Sequence, residues 1–474
     1  LHICLICEGS YPYVVGGVSS WTHTLIREMS QHTFSIATLY PSVSDKGNFK
    51  YKLPSNVTGV SEFFLDVLGR EYGTFKRKFK VADIDIETII QLFRGEDIDW
   101  SIMFDFFERN KNSSAQDFLM SRVFYDAIIG TYQRSYAHVA LNDFFWTIRS
   151  MILPLTGIMG IDMPEADLYH SLSTGYAGVM ASKGKRDHNA GMLLTEHGIY
   201  TREREEEIIG AGWVPVHFKD LWIKYFHNLS KCAYKHTDTA ITLFEDARVI
   251  QNELGCDSAK QIVVENGVNV DRLLQLPRKK LGEGSLSIGA VVRVVPIKDI
   301  LTMLQAFNLV HEAYPNAEFY IMGPNDESVE YYEECVSITR LMGLEDVVRF
   351  TGMVKVTDYF PKMDVMVLSS ISEGQPLVVL EAMAAGIPNV TTNVGSCREI
   401  LYGKKEDTLG KAGIVVPVMD YHALAEGIIK IVTNKKLHDQ MAAIGEERVK
   451  KLYTRERFIK NYADVYASFE NKGE

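Results

Sequence analysis

The chain has 474 residues, 46% hydrophobic and 23% charged, a balance that suits two or three packed domains of a soluble protein. Its net charge of −11 argues against nucleic acid or an anionic lipid surface as a main partner, because both need a basic face. No apolar run reaches the roughly 18–20 residues that span a bilayer, and no second C-x-x-C accompanies Cys4 and Cys7, so no zinc framework is expected.

Residues 1–7 read as a short buried strand, without the basic start and small-residue cleavage site of a signal peptide. Three apart in that strand, Cys4 and Cys7 point to opposite faces and read as reduced core thiols of a cytoplasmic protein. A glycine-rich loop, Gly9 to Gly17, and an amphipathic stretch follow, and residues 34–40 give the next strand. Residues of about 60–155 break this alternation, with apolar side chains at helical spacing, and are expected to form a helical insertion. Strands return at 168–171, 191–197 and 239–242. Pro277-Arg278-Lys279-Lys280 and the glycines after it read as a linker. This places domains at 1–280 and 281–454, with a last helix of about 455–474 packing back on the first. The second series has strands at 286–293, 317–322, 347–351, 365–368, 389–392 and 413–416 with helices between. Such alternation implies a parallel, doubly wound sheet.

The richest stretch is Ser369-Ser370-Ile371-Ser372-Glu373-Gly374-Gln375-Pro376-Leu377-Val378-Val379-Leu380-Glu381. A buried strand ends before it, Pro376 suits a first helical turn, and Gly386 and Pro388 stop the helix. Glu373 then sits at the carboxyl end of a parallel strand, where open α/β sheets bind ligands, and the free amides of the helix start suit a phosphate. Asp83-Ile84-Asp85 and Asp97-Ile98-Asp99 mimic a metal-binding D-x-D, but they fall in the insertion and read as solvated acidic faces.

The E-x7-E spacing of Glu373 and Glu381 resembles the motif of retaining glycosyltransferases of family 4, which have the GT-B fold. Arg293 and Lys298 are similar to the family's G-R-x-x-x-x-K residues, although Asp299 stands where the family usually has glycine. Phe350-Thr351-Gly352-Met353-Val354 resembles its nucleobase loop, Glu265-Asn266-Gly267-Val268-Asn269 its P-N-G-V-D, Gly16-Gly17 its N-terminal glycine loop, and Thr195-Glu196-His197 its strand-then-histidine motif. The resemblance implies an α/β architecture of two Rossmann-like domains facing across a cleft, with the insertion in the first. It implies that Glu373 orients the donor sugar, that His197 meets the sugar or its leaving oxygen, and that Arg293 and Lys298 neutralise a diphosphate. Glu381 would hold the ribose, and Gly16, Gly17, Met353, Gln375, Pro376 and Leu377 would line the donor. His170, ending the 168–171 strand, and Asn266 are further cleft candidates. No cofactor or metal is needed in this scheme, because positive protein groups take a metal's place.

Glu8-Gly9-Ser10-Tyr11-Pro12-Tyr13, the insertion and the run from Thr195 to Arg204 also resemble the cytosolic glycosyltransferases of bacterial Pel exopolysaccharide synthesis. That implies UDP-glucose as donor, a saccharide acceptor, and a cytoplasmic protein working beside membrane-embedded synthase subunits. Two other readings stay open: a nucleotide-sugar epimerase of the same fold, and a non-catalytic nucleotide-sugar-binding subunit.

Overall fold

Seven short segments, most of them continuous apolar runs, form the first sheet. They are β1 (His2–Glu8), β2 (Thr33–Tyr40), β3 (Val57–Phe64), β4 (Leu168–Ser171), β5 (Gly191–Glu196), β6 (Thr239–Thr242) and β7 (Gln261–Val263). In this computed structural model, which describes residues 1–68 and 79–470, they pair in the order β3-β2-β1-β4-β5-β6-β7. Every neighbouring pair is parallel. Consecutive buried residues along β1 and β4 are what a parallel strand covered on both faces requires. The order reverses direction between β1 and β4, the position where such sheets open a crevice at their carboxyl edge.

Helices α1 (Gly17–Glu28), α2 (Asp83–Phe93), α3 (Trp100–Arg109), α4 (Ala115–Leu119), α5 (Arg122–Thr131) and α6 (Leu141–Met159) come first. They are followed by α7 (Tyr176–His188), α8 (Tyr200–Gly210), α9 (Lys219–His236) and α10 (Glu245–Glu253). The insertion is helical from α2 to α6, but its expected start at residue 60 falls inside β3, an edge strand. Edge-to-face contacts of Phe118 with Phe106 and Phe124 build its local core. Of the acidic pairs there, Asp83, Asp97 and Asp99 are exposed as expected, and Asp85 is not. Asp85 is buried, accepts from the Ala82 amide and pairs with Arg109 at 2.6 Å, so it is not the solvated charge expected. Asp99 caps α3 through the Ser101 amide.

The second sheet contains β8 (Leu286–Val291), β9 (Ala317–Met322), β10 (Val348–Gly352), β11 (Val365–Leu368), β12 (Asn389–Thr392) and β13 (Gly413–Val416), in the order β10-β9-β8-β11-β12-β13. Its helices are α11 (Val270–Leu274), α12 (Ile300–Ala313), α13 (Val329–Leu341), α14 (Leu377–Ala384), α15 (Cys397–Tyr402), α16 (Tyr421–Val432) and α17 (Lys435–Leu452). Each sheet encloses its own apolar core. A last helix, α18 (Arg455–Glu470), ends the described chain.

Two compact units result: Leu1–Val263 with Ala463–Glu474, and Val264–Tyr462. The boundary therefore lies before the basic stretch that reads as a linker. Lys279 is anchored to the buried Asp364 at 2.5 Å and Arg278 pairs with Glu446, so these charges are docked inside the second unit. Gly267 shows why the preceding segment belongs there too. Val268 bridges Thr454 in parallel, and a Cβ on Gly267 would lie 2.9 Å from the Arg455 Cα. All six cysteines are buried and free. Among the described residues no helix is long and apolar enough to cross a membrane.

Candidate functional site

In the second unit β8 and β11 are neighbours, and the loops leaving their carboxyl ends are stitched together. The Ile371 amide donates to the Ile297 carbonyl at 2.9 Å, and the Ser369 hydroxyl lies 2.9 and 2.8 Å from the carbonyls of Lys298 and Asp299. This brings the Lys298 ammonium to 2.5 Å from Glu373 Oε1, which also accepts from the Ser370 hydroxyl at 2.6 Å. The lysine read as a phosphate ligand and the glutamate read as a sugar ligand thus form one half-buried ion pair. The far side of the Glu373 loop is equally fixed. The Ser396 amide donates to the Gly374 carbonyl at 2.9 Å. Gly395, at φ +50°, passes so near that a Cβ would stand 2.9 Å from the Glu373 carbonyl carbon. The Thr392 hydroxyl holds the Ser370 carbonyl at 2.7 Å.

Asp299 occupies the place where glycine would be usual and adopts a glycine-like left-handed conformation, φ 48° and ψ 55°. Asp tolerates that region better than most side chains because it bonds locally; here it caps α12 by accepting from the Thr302 amide. Arg293 is engaged as well: it donates to both oxygens of Glu327 at 2.6 and 2.7 Å. Both partners are about half exposed, and such pairs contribute about 0–1 kcal/mol, so the guanidinium can exchange Glu327 for another anion at little cost.

Pro376 is the N-cap of α14 rather than a residue of its first turn, and no side chain caps that helix, which leaves its first amides for an anion. Leu377 opens it. Gln375 accepts from the Asn266 amide at 2.6 Å, and both residues are buried. Asn266 Oδ1 is buried with no partner among the described residues. One turn along α14, burial pushes the Glu381 carboxyl up to about 7, with Arg272 opposing. Met353 is exposed just beyond β10. The structure thus gathers Lys298, Glu373, Gln375 and the α14 start, while Arg293 reaches outward to Glu327.

In the first unit Gly16 is the N-cap of α1, with no side-chain cap. A Cβ on Gly16 or Gly17 would meet nothing within 4 Å, so neither packing nor a positive φ accounts for these glycines. His197 follows β5 and packs edge-on against Trp21, ring centroids 4.5 Å apart. Its Nε2 is buried without a partner among the described residues. Burial lowers its pKa to about 4, which keeps the ring neutral near pH 7.

His170 is not a cleft residue. It is fully buried, with Nδ1 2.8 Å from the Tyr466 hydroxyl and Nε2 2.8 Å from Thr195 Oγ1. Burial drives its pKa down to about 3, and its role is to join α18 to the sheet.

Two glutamates, the buried Glu196 and the half-buried Glu8, escaped the sequence reading. Glu196 accepts from the Tyr200 amide at 3.1 Å, the Tyr234 hydroxyl at 2.8 Å and Gln251 at 2.7 Å, fixing the turn that carries His197. Glu8 accepts from the Ala177 amide at 3.0 Å and the Ser173 hydroxyl at 3.3 Å. Burial raises both carboxyls. Their only sequence signal is a charge at the end of an apolar strand. Among the described residues no three His, Cys, Asp or Glu side chains gather as metal ligands.

Comparison with known proteins agrees with this architecture. Residues 1–259 match a domain of unknown function (DUF3492), and residues 285–434 match the glycosyl transferases group 1 model. A phosphatidyl-myo-inositol mannosyltransferase of Mycobacterium leprae is 29% identical over 242 residues, covering 49% of this chain and 60% of the relative. An N-acetyl-alpha-D-glucosaminyl L-malate synthase of Bacillus anthracis is 27% identical, covering 36% and 42%. The chain thus spans about half the length of these curated relatives. Among solved structures, sucrose-phosphate synthase of Thermosynechococcus elongatus superposes with a TM-score of 0.64 at 15% identity, over 99% of both chains. Anabaena HepE in complex with UDP-glucose gives 0.62 at 13% identity, over 98% of this chain and 99% of that one. The chain therefore has the GT-B fold and belongs to the family of the domain of unknown function (DUF3492), with a glycosyl transferases group 1 domain in its second unit.

Proposed function

We propose that the protein is a retaining, metal-independent hexosyltransferase that moves glucose from UDP-glucose to a saccharide acceptor. One observation carries this reading: the Lys298–Glu373 pair, held at the carboxyl ends of β8 and β11 beside the uncapped start of α14. That arrangement suits a leaving diphosphate. The bond from the anomeric carbon to the phosphate oxygen breaks, and charge grows on that oxygen. Lys298, Arg293 and the α14 amides stabilise the charge by preorganised contacts. Glu373, released from Lys298 as the phosphate takes the ammonium, accepts from the sugar hydroxyls. The acceptor hydroxyl attacks the same face of the ring and passes its proton to the departing phosphate. His197, held neutral, offers Nε2 to a sugar hydroxyl.

The choice of UDP-glucose draws support from the resemblance to Pel-type enzymes and from the HepE complex with UDP-glucose. The same resemblance supports a role in exopolysaccharide synthesis, a cytoplasmic location and work beside membrane synthase subunits. An epimerase would need no acceptor.

Calorimetry with UDP-, GDP- and ADP-linked sugars, followed by product analysis, tests the proposal. Selective UDP-glucose binding, weakened by Arg293→Ala, with glucose appearing on a saccharide, is the expected result. Conversion of the donor to its epimer, or binding without turnover, sinks it.

A further inference from the structure

A cavity of about 310 Å³ lies in the first unit beside the glycine loop, lined by Tyr13, Tyr40, Asp45, Asn48, Phe49 and Lys50. We propose that it binds one neutral sugar ring of the acceptor. Its assignment to the acceptor rests on the transferase reading; its capacity to hold a sugar does not.

The cavity stands at the carboxyl end of β2, on the edge of the parallel sheet that binds ligands in this architecture. Its floor and walls are aromatic. The Tyr13 and Tyr40 rings pack with centroids 4.5 Å apart, and Phe49 stands at 71° to Tyr13, 5.5 Å away. Tyr13 is almost fully buried, while Tyr40 and Phe49 are half-buried and keep open surface. A pyranose presents an apolar C–H face to such rings and a rim of hydroxyls around it. The polar groups match the rim. Among the described residues the side chains of Asp45 and Lys50 make no hydrogen bond or ion pair, and Asn48 only donates weakly to the Ser44 carbonyl at 3.4 Å. An acceptor-only carboxylate, a donor-only ammonium and an amide oxygen are therefore all open to hydroxyls. One negative and one positive group leave no net charge to hold a phosphate, and Asp45 would repel it.

The cavity is built in advance rather than left to a free loop. The turn after β2 is tied down by the Gly47 amide on Glu62 at 2.8 Å, and the Tyr13 hydroxyl donates to the same Glu62 oxygen. The Val43 amide and Ser42 hydroxyl hold Asp66 at 3.0 and 2.9 Å. The Lys50 amide donates to the Pro12 carbonyl at 2.9 Å, fastening this turn to the glycine loop. Preorganisation of this kind lowers the entropy cost of binding.

Saturation-transfer NMR on the whole chain tests the proposal, with glucose, N-acetylglucosamine, cellobiose and chitobiose as probes, alongside calorimetry with UDP-glucose. At least one saccharide binds the wild type. Asp45→Ala weakens that binding about tenfold and the exposed-site variant Asn48→Ala weakens it less, while UDP-glucose affinity stays within twofold and the melting temperature is kept. Absence of saccharide binding by a wild type that does bind UDP-glucose overturns the cavity proposal alone. Saccharide binding equal in wild type and both variants overturns it as well. Saccharide binding lost in Asp45→Ala, with no nucleotide sugar bound by any form, upholds the cavity and removes the transferase reading instead.

Discussion

The resemblance assigns Glu381 to a ribose, where a carboxylate accepts hydrogen bonds from two hydroxyls only when ionised, and burial raises its pKa to about 7. Below that value the folded protein keeps it protonated. Affinity for UDP should therefore strengthen about tenfold from pH 6 to pH 8, as the competent fraction rises. Glu381→Gln should bind weakly and with a flat profile, which calorimetry across that range reads directly. A different pattern belongs to His170, whose removal deletes its buried bonds to the Tyr466 and Thr195 hydroxyls and leaves a cavity in the core. His170→Ala should cost about 2–4 kcal/mol of stability by denaturant unfolding and leave UDP binding unchanged. The sequence was informative about residues whose partners lie at fixed spacing, such as Glu373 and Glu381 on one loop and helix. It was silent on Thr392, on Gly395 and on the bonds of the Ser369 hydroxyl, which fix the Glu373 loop only when three strand ends meet. It misplaced His170 because a strand-end histidine looks the same whether it faces a ligand or a helix from the far end of the chain.

At the scale of elements, strands buried on both faces were legible as apolar runs, and β4, β6, β9 and β11 to β13 lie where those runs are. β3 was lost because its burial pattern is mixed, as suits an edge, and three-residue β7 is too short to signal. The basic stretch at 278–280 read as a linker because spacing cannot show that Lys279 meets a buried Asp364. Asp299 offers a test of how the loop before α12 is made. Asp299→Gly should keep the left-handed turn and lose only a few tenths of a kcal/mol. Asp299→Ala loses the cap and strains the turn, at about 2–3 kcal/mol. Urea unfolding of the two variants should separate them in that order, and equal losses would mean that the cap alone matters.

For the whole molecule, composition and alternation indicated two α/β series, but the unit boundary depends on contacts between residues nearly two hundred positions apart, such as Val268 with Thr454. No local signal reports those. The chain from Ala463 onward belongs to the first unit, where Tyr466 serves His170 and Phe469 covers Gly191 closely enough that a Cβ there would stand 2.7 Å from its ring. A chain stopped after residue 462 should show a lowered melting transition for the first unit and an intact one for the second, with UDP still bound. Calorimetric scanning resolves the two. The same arrangement sets an order on birth of the chain. Synthesis at about 5–20 residues per second leaves the first 263 residues waiting roughly 10–40 s while residues 264–462 are made. Through that interval the ring of His170 has no Tyr466, and the nascent first unit is exposed to chaperones until its final strap emerges from the ribosome.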